Sequence, residues 1–366
     1  MATSLPNTMT GVVLTGHGGL DKLELRNNLP LPELAEHEVL IKVGACAVNN
    51  TDINTRIGWY SKQVTADTNA GGAEGFGSIN GEDASWSGSP LTFPRIQGAD
   101  VAGHIVAVGT QVDPSRIGER VMVRAMQQHP HSDEPYHCIT IGSEYDGGFA
   151  QYTKTRAGEA FTINSTMTDV ELASFPCAFS TAENMVDRAN IKAGDVVLVT
   201  GASGGVGAAA VQLAKRRGAG VIAVCGADKH QQVLEIGANR TISRGDSLIE
   251  SLGTMAVDVV IDLVAGKQWP ELLEVLRRGG RYAVAGAIGG PLTELDVRTL
   301  YLKDLSFFGC TYQPRHVFEN LVRYIETGEI KPVVSNTYPL AQIHQAQEDF
   351  LAKKFVGKLV LLPEQG

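Results

Sequence analysis

The sequence predicts an α/β protein of two unlike halves, and three observations carry that prediction. Short strand-like runs with Gly- and Asp-rich punctuation fill the first 160 residues. Apolar runs alternating with helical segments fill residues 194–312. A turn with glycine at every third position, Gly201-x-x-Gly204-x-x-Gly207, stands between a strand and a helix of that second region. At 366 residues the chain is long for one core and fits two.

The bulk composition narrows the function. With 43% hydrophobic and 19% charged residues the chain is an ordinary globular protein, and its 41 glycines favour many tight strand-to-helix turns. A net charge of −9 argues against nucleic acid and against an anionic membrane surface as partners. The cysteines at 46, 138, 177, 225 and 310 form no Cys-x-x-Cys pair, which points to a reducing compartment without a disulfide framework. No apolar run reaches membrane-spanning length. "MATSLPNTMT" has neither a basic nor an apolar leader region, so a cytoplasmic location is expected.

In chain order, "GVVLTG", "EVLIKVGA", "DVAGHIVAVG", "ERVMVRA" and "GGFAQYTKT" read as strands of an irregular, mostly antiparallel barrel. "DVVLVTG", "AGVIAVC", "VDVVIDLVAG", "GRYAVAG" and "LSFFGC" read as parallel strands buried on both faces. "QPRHVFENLVRYIETGEI" then predicts a helix with Pro314 in its first turn and Gly328 past its end. A second helix and the strand "FVGKLVLL" close the chain. Two segments break this rhythm. Residues 61–93 hold six glycines and little periodicity, and a loop of that length is usually functional. Residues 127–146 are similarly irregular.

The glycine turn has the chemistry of a pyrophosphate cradle. Glycines at Gly201, Gly204, Gly205 and Gly207, with Ala202, Ser203 and Val206 among them, let the backbone approach a dinucleotide whose phosphates then sit on the helix N-terminus. Dinucleotides are sorted at the end of the next strand, where a carboxylate takes the 2′-hydroxyl of NAD. Here that position is Cys225-Gly226. Lys229 and Arg244 are nearby cations suited to a 2′-phosphate, or else solvated surface charges. Asp228 is the one acid nearby and reads as a helix N-cap. NADP(H) is the expected cofactor.

With these elements in place, "GADVAGHIVAVG", "GERVMV", "GGFAQYTKT", "ELASFPCAFSTA", "GASGGVG" and "GKLVLL" make the sequence resemble the medium-chain dehydrogenase/reductase superfamily. The similarity runs over about 10–362 and is greatest to its zinc-free quinone oxidoreductase-like branch. That resemblance implies a GroES-like β-barrel catalytic domain plus a Rossmann domain with a doubly wound parallel sheet. The domains would be 1–160 (catalytic, first part), 161–312 (cofactor-binding) and 313–366 (return to the catalytic domain). It also implies pairing of the strand near "LSFFGCTY" across a two-fold axis, hence a homodimer.

Zinc alcohol dehydrogenases of this superfamily hold a catalytic metal with three ligands. By the resemblance their first cysteine falls on Asn49 and their histidine on Ala99, leaving only Cys177 matched. Their structural-zinc lobe has no counterpart. His129, His131, His137 and Cys138 are a separate candidate group, read here as a polar loop. No metal is expected.

The resemblance further places candidate catalytic residues in "VNNTDINTRIGWY". Tyr60 stands where enoyl thioester reductases carry a catalytic tyrosine. Asn49 would lie against the nicotinamide ribose or the substrate, with Asp52 and Arg56 shaping the pocket. Plainer readings stand beside these: Asn49 at a turn, Asp52 capping a short helix, Tyr60 as a core aromatic. Thr181, Ala287, Ile288, Cys310 and Lys358 are expected around the cofactor on the same resemblance. Cys177 reads as a small buried hydrophobe. The expected activity is NADPH-dependent, zinc-independent reduction of quinones or α,β-unsaturated carbonyls. An alcohol or carbonyl dehydrogenase, or an NADPH-binding protein without turnover, are the alternatives. The 61–93 loop is expected to wall the substrate pocket.

Overall fold

The computed structural model describes residues 5–77, 79 and 81–364. Its second half is a six-stranded, all-parallel sheet. The strands Arg240–Ser243, Gly220–Cys225, Val196–Val199, Val257–Asp262, Leu276–Val284 and Ser306–Gly309 lie side by side in that order. Both faces are buried, as the continuous apolar runs predict. Val197, Val199, Val221, Ala223, Val259 and Ile261 feed one core. Leu198, Val224, Val260 and Tyr282 feed the core on the opposite face. The sheet starts at Val196–Val199, runs outward to one edge, then returns to that strand's other side. This reversal leaves a crevice at the carboxyl ends of Val196–Val199 and Val257–Asp262.

The first half is built around Glu38–Ala47. That strand pairs antiparallel with Ala102–Val108 and with Tyr152–Arg156. The terminal strand Lys358–Leu362 also pairs antiparallel with it, so the chain's end returns to the first half. A second sheet of Leu23–Pro30, Thr8–Leu14 and Arg95–Ile96 joins through a bridge between Gly11 and Ala150. The strands expected as a barrel thus form two linked sheets.

Three local features position the site. The helix Pro176–Arg188 is buried over Pro176–Val186 and packs on the helix Gly205–Arg216. Glu183, fully buried on it, accepts two hydrogen bonds from Arg217 at 2.8 and 2.9 Å, which locks the two helices together. Gly357 donates its N–H to the Ser203 carbonyl (2.9 Å) and pins the terminal strand to the glycine turn. Near the end, Pro314 sits just before the helix Arg315–Glu326 rather than inside it, and Gly328 follows at φ 70°.

Candidate active site

The crevice opens into a cavity of about 460 Å³ between the two halves. Its floor is the glycine turn. Gly201 has φ 59°, a left-handed backbone conformation that glycine adopts without strain. A Cβ on Gly207 would lie 2.2 Å from the Gly201 carbonyl oxygen, so the helix meets the strand this closely only without a side chain. The helix Gly205–Arg216 begins at Gly204 with no side-chain cap, leaving its first N–H groups free to meet an anion. Gly201, Ser203, Gly204, Gly205, Val206 and Gly207 line the cavity. Ala202 does not: it is fully buried in the core, so its place in the expected cofactor set is corrected.

Past the next strand, Gly226, Lys229 and Arg244 line one end of the cavity. Lys353 joins them from the end of the helix Ile343–Ala352. It has φ 54°, stacks its ammonium 3.7 Å over the Phe350 ring, and accepts at its carbonyl a hydrogen bond from the Lys229 ammonium. Burial, and then the nearby Lys229 charge, push the Lys353 ammonium down to about 7. The Lys229 ammonium is lowered too, by burial and by Arg244, against the pull of Asp228. Cations crowded together out of water favour an anion beside them. The expected N-cap role of Asp228 is corrected, because the helix His230–Ile236 has no side-chain cap.

At the other end, Cys177 and Thr181 project one helical turn apart from Pro176–Arg188. Ala285–Gly289 provides backbone along the same wall, including Ala287 and Ile288. Thr311 lines it, and the neighbouring Cys310 turns its thiol back to the Phe308 carbonyl. One device escaped the sequence reading. Asp262, fully buried, accepts hydrogen bonds from the Thr200 and Tyr282 hydroxyls (2.6 Å each) and from the Val264 N–H (2.9 Å). It fixes the turn Leu263–Ala265, in which Ala265 is held at φ 52° against the cavity.

Between the two ends lies a buried polar junction. The Lys358 ammonium is 2.9 Å from Asp100 and donates to the Val48 carbonyl (3.0 Å) and to the Asn49 side-chain oxygen. Asn49 donates its amide to Asp100 (2.7 Å) and to the Ala47 carbonyl (3.2 Å). Asp100 also accepts the Cys177 N–H at 2.7 Å. Asn49 lines the cavity with both its amide donors committed to protein acceptors. Lys358 lines the cavity through its stem while its charge is neutralised inside.

Asp52 lies beneath this junction. Its carboxylate accepts the Asn49 N–H (2.7 Å) and the Gly98 N–H (3.2 Å), closing one half of a capping box on the helix Asn50–Ile57. Burial raises its carboxyl to about 7. It does not face the cavity, so the cap reading replaces the catalytic one.

Arg56 is corrected for a similar reason. It is fully buried, donating to the Gly18 carbonyl (2.9 Å), the Gly72 carbonyl (2.5 Å) and the Gln347 side chain (2.9 Å). It ties the amino-terminal segment, the 61–93 segment and the last helix into one block. Burial lowers its guanidinium to about 10, still charged at neutral pH.

Tyr60 does face the cavity. Its hydroxyl lies 3.1 Å from the Thr51 hydroxyl, and burial raises its pKa well above the ordinary phenol value. It keeps its proton, which it donates to the Thr51 hydroxyl. The 61–93 segment supplies Asp67, Asn69 and Trp86 to the same wall. The Trp86 ring lies 5.9 Å from that of Tyr60 with planes 33° apart.

The residues here do not fit a zinc ion. Among the described residues no group of three or more His, Cys, Asp or Glu side chains could hold a metal. Cys177 is the single thiol at the place in question, burial raises its pKa far from the thiolate range, and Ala99 beside it offers no donor. The Lys358 ammonium already balances Asp100 there. His129 and His137 stack ring on ring at 4.2 Å, which is a packing contact.

With this geometry described, comparison with known proteins places the chain. The family described as "Alcohol dehydrogenase GroES-like domain" matches residues 35–165, and "Zinc-binding dehydrogenase" matches 205–327. A solved structure from Sinorhizobium meliloti 1021, a candidate alcohol dehydrogenase, is 47% identical with TM-score 0.88, covering 98% of each chain. The chain belongs to the medium-chain dehydrogenase/reductase superfamily. Within that superfamily it is quinone oxidoreductase-like: the human quinone oxidoreductase is 28% identical over 97% of this chain and 98% of its own. A 2-octenoyl-CoA carboxylase reductase solved with NADP and 2-octenoyl-CoA is 25% identical with TM-score 0.82, covering 100% of this chain and 90% of its own. The chain is thus an oxidoreductase relative of the nicotinamide-dependent kind. Among the described residues no helix is long and apolar enough to cross a membrane.

Proposed function

We propose that this protein reduces quinones or α,β-unsaturated carbonyl compounds with NADPH and without zinc. The observation that carries the reading is the buried Lys358–Asp100–Asn49 junction, an internal ion pair at the place where zinc-dependent relatives would bind metal. Without a Lewis acid, lowering the pKa of an alcohol is hard. Adding a hydride to an already polarised C=C–C=O or quinone system is not, because a hydrogen-bond donor suffices to steady the charge that collects on oxygen.

The residues fit the cofactor. The uncapped helix N-terminus at Gly205 suits the pyrophosphate. Lys229, Arg244 and Lys353 suit a 2′-phosphate, which NADH lacks. Thr181 and the 285–289 backbone suit the nicotinamide end. Bound there, the reduced cofactor supplies the hydride. Tyr60 turns its hydroxyl from Thr51 to the substrate oxygen, and water delivers the proton that completes the reduction. The edge strand Ser306–Gly309 leaves Phe307 partly exposed, with Tyr301 and Leu302 exposed beside it, and supports a homodimer through that edge. The test is NADPH oxidation against quinones, enones and enoyl thioesters, with NADH as control. Turnover of at least one acceptor class with NADPH preferred is expected. Tight NADPH binding with no turnover on any acceptor would contradict the reading.

A further inference from the structure

The residues that wall the substrate side say which acceptors fit. Trp86 lies 5.9 Å from Tyr60, Trp59 stands edge-on to Tyr60 at 5.8 Å, and all three line the cavity, so its substrate side has an aromatic wall. Trp86 is held in place. Its neighbours Ser85 and Ser87 bond to each other through their hydroxyls (2.9 Å), and Ser87 donates its N–H to Glu144 at 3.1 Å.

The charges of the 61–93 segment are mostly acidic. Residues 61–93 carry Lys62 against Asp67, Glu74, Glu82 and Asp83, and no arginine. Asp67 is the charged side chain this segment contributes to the cavity, and one of its oxygens caps the Ala70 N–H at 3.0 Å. The cavity's cations are engaged elsewhere. Lys229, Arg244 and Lys353 gather at the opposite end, and Lys358 is neutralised by Asp100. A coenzyme A thioester brings a pyrophosphate and a 3′-phosphate and would meet net negative charge on this side. An uncharged conjugated ring meets none.

We propose that the substrate half of the cavity is a slot for an uncharged, planar conjugated carbonyl compound such as a quinone or aryl enone, that Trp86 sets this specificity, and that coenzyme A thioesters are disfavoured. This rests on the reductase reading above, and the experiment separates the two. Binding of 1,4-naphthoquinone and of crotonyl-CoA to the NADP⁺-loaded protein is measured alongside NADPH oxidation with each. The naphthoquinone binds at least about tenfold tighter than crotonyl-CoA. Trp86→Ala weakens naphthoquinone binding about tenfold and Trp86→Phe, which keeps a flat face, by less than about threefold, with NADP⁺ affinity unchanged in both. Crotonyl-CoA binding equally or more tightly overturns the proposal, as does a Trp86→Ala protein that binds the quinone like the parent. Quinone binding that follows this pattern without NADPH oxidation supports the slot while removing the reductase reading.

Discussion

The glycine turn at 201–207 and the Tyr60–Trp86 wall face one cavity but are assembled in opposite ways. The turn is one unbroken stretch of backbone, and its function lies in N–H groups and in the absence of side chains. The wall is side chains spread along the 59–86 segment, which Arg56 anchors through the Gly72 carbonyl. A backbone site tolerates most substitutions nearby and fails when a Cβ is added. A wall of side chains can change specificity one residue at a time while leaving cofactor binding untouched. The junction of Asn49, Asp100 and Lys358 holds the two regions in register.

The largest effect is expected where that junction is broken. Lys358→Met leaves Asp100 buried and unpaired, at a cost of about 3–5 kcal/mol. Urea denaturation checks this, and adding Asp100→Asn restores part of the loss.

Asp52 gives a comparable, pH-dependent effect. Its carboxyl is raised from an ordinary 3.8 to about 7 in the folded state. Below pH 3.8 both folded and unfolded chains hold the proton. As pH rises the unfolded chain releases it first, so this group's contribution to stability falls, by about 4 kcal/mol once pH passes 7. Asp52→Asn mimics the protonated form, and a flatter stability profile between pH 4 and 7 is the expected result.

On the wall, Tyr60→Phe removes the donor and lowers kcat about 10²-fold while NADPH affinity stays the same, a split that steady-state and binding measurements resolve together. At the other end of the cavity, Lys229→Ala weakens NADPH about tenfold and leaves NADH nearly unchanged. If it weakens both equally, the lysine does not read the 2′-phosphate.

The same contrast explains what the sequence made legible. The parallel sheet and glycine turn follow from contiguous signals: apolar runs, glycine spacing and a helix directly after. Lys229 and Arg244 were within reach because they follow the next strand. Lys353 was not, because the helix that carries it lies over a hundred residues further on. Trp86 sits in a segment without periodicity, where nothing local marks which way a side chain turns. Arg56 and Asn49 show a different limit. Their types and spacing match a catalytic pattern, but their donors are taken up by carbonyls and by Asp100, and only the folded chain reveals those partners. The cap reading of Asp52 needed only the local helix and held.

The central claim is that a buried ammonium, not zinc, stands behind this hydride-transfer site. Metal content and NADPH-dependent turnover measured on the same purified protein, before and after chelation, test it most directly. The account predicts far less than one zinc per chain and undiminished turnover of a quinone or enone after chelation. One zinc per chain, with activity lost on chelation and restored by added zinc, would contradict it.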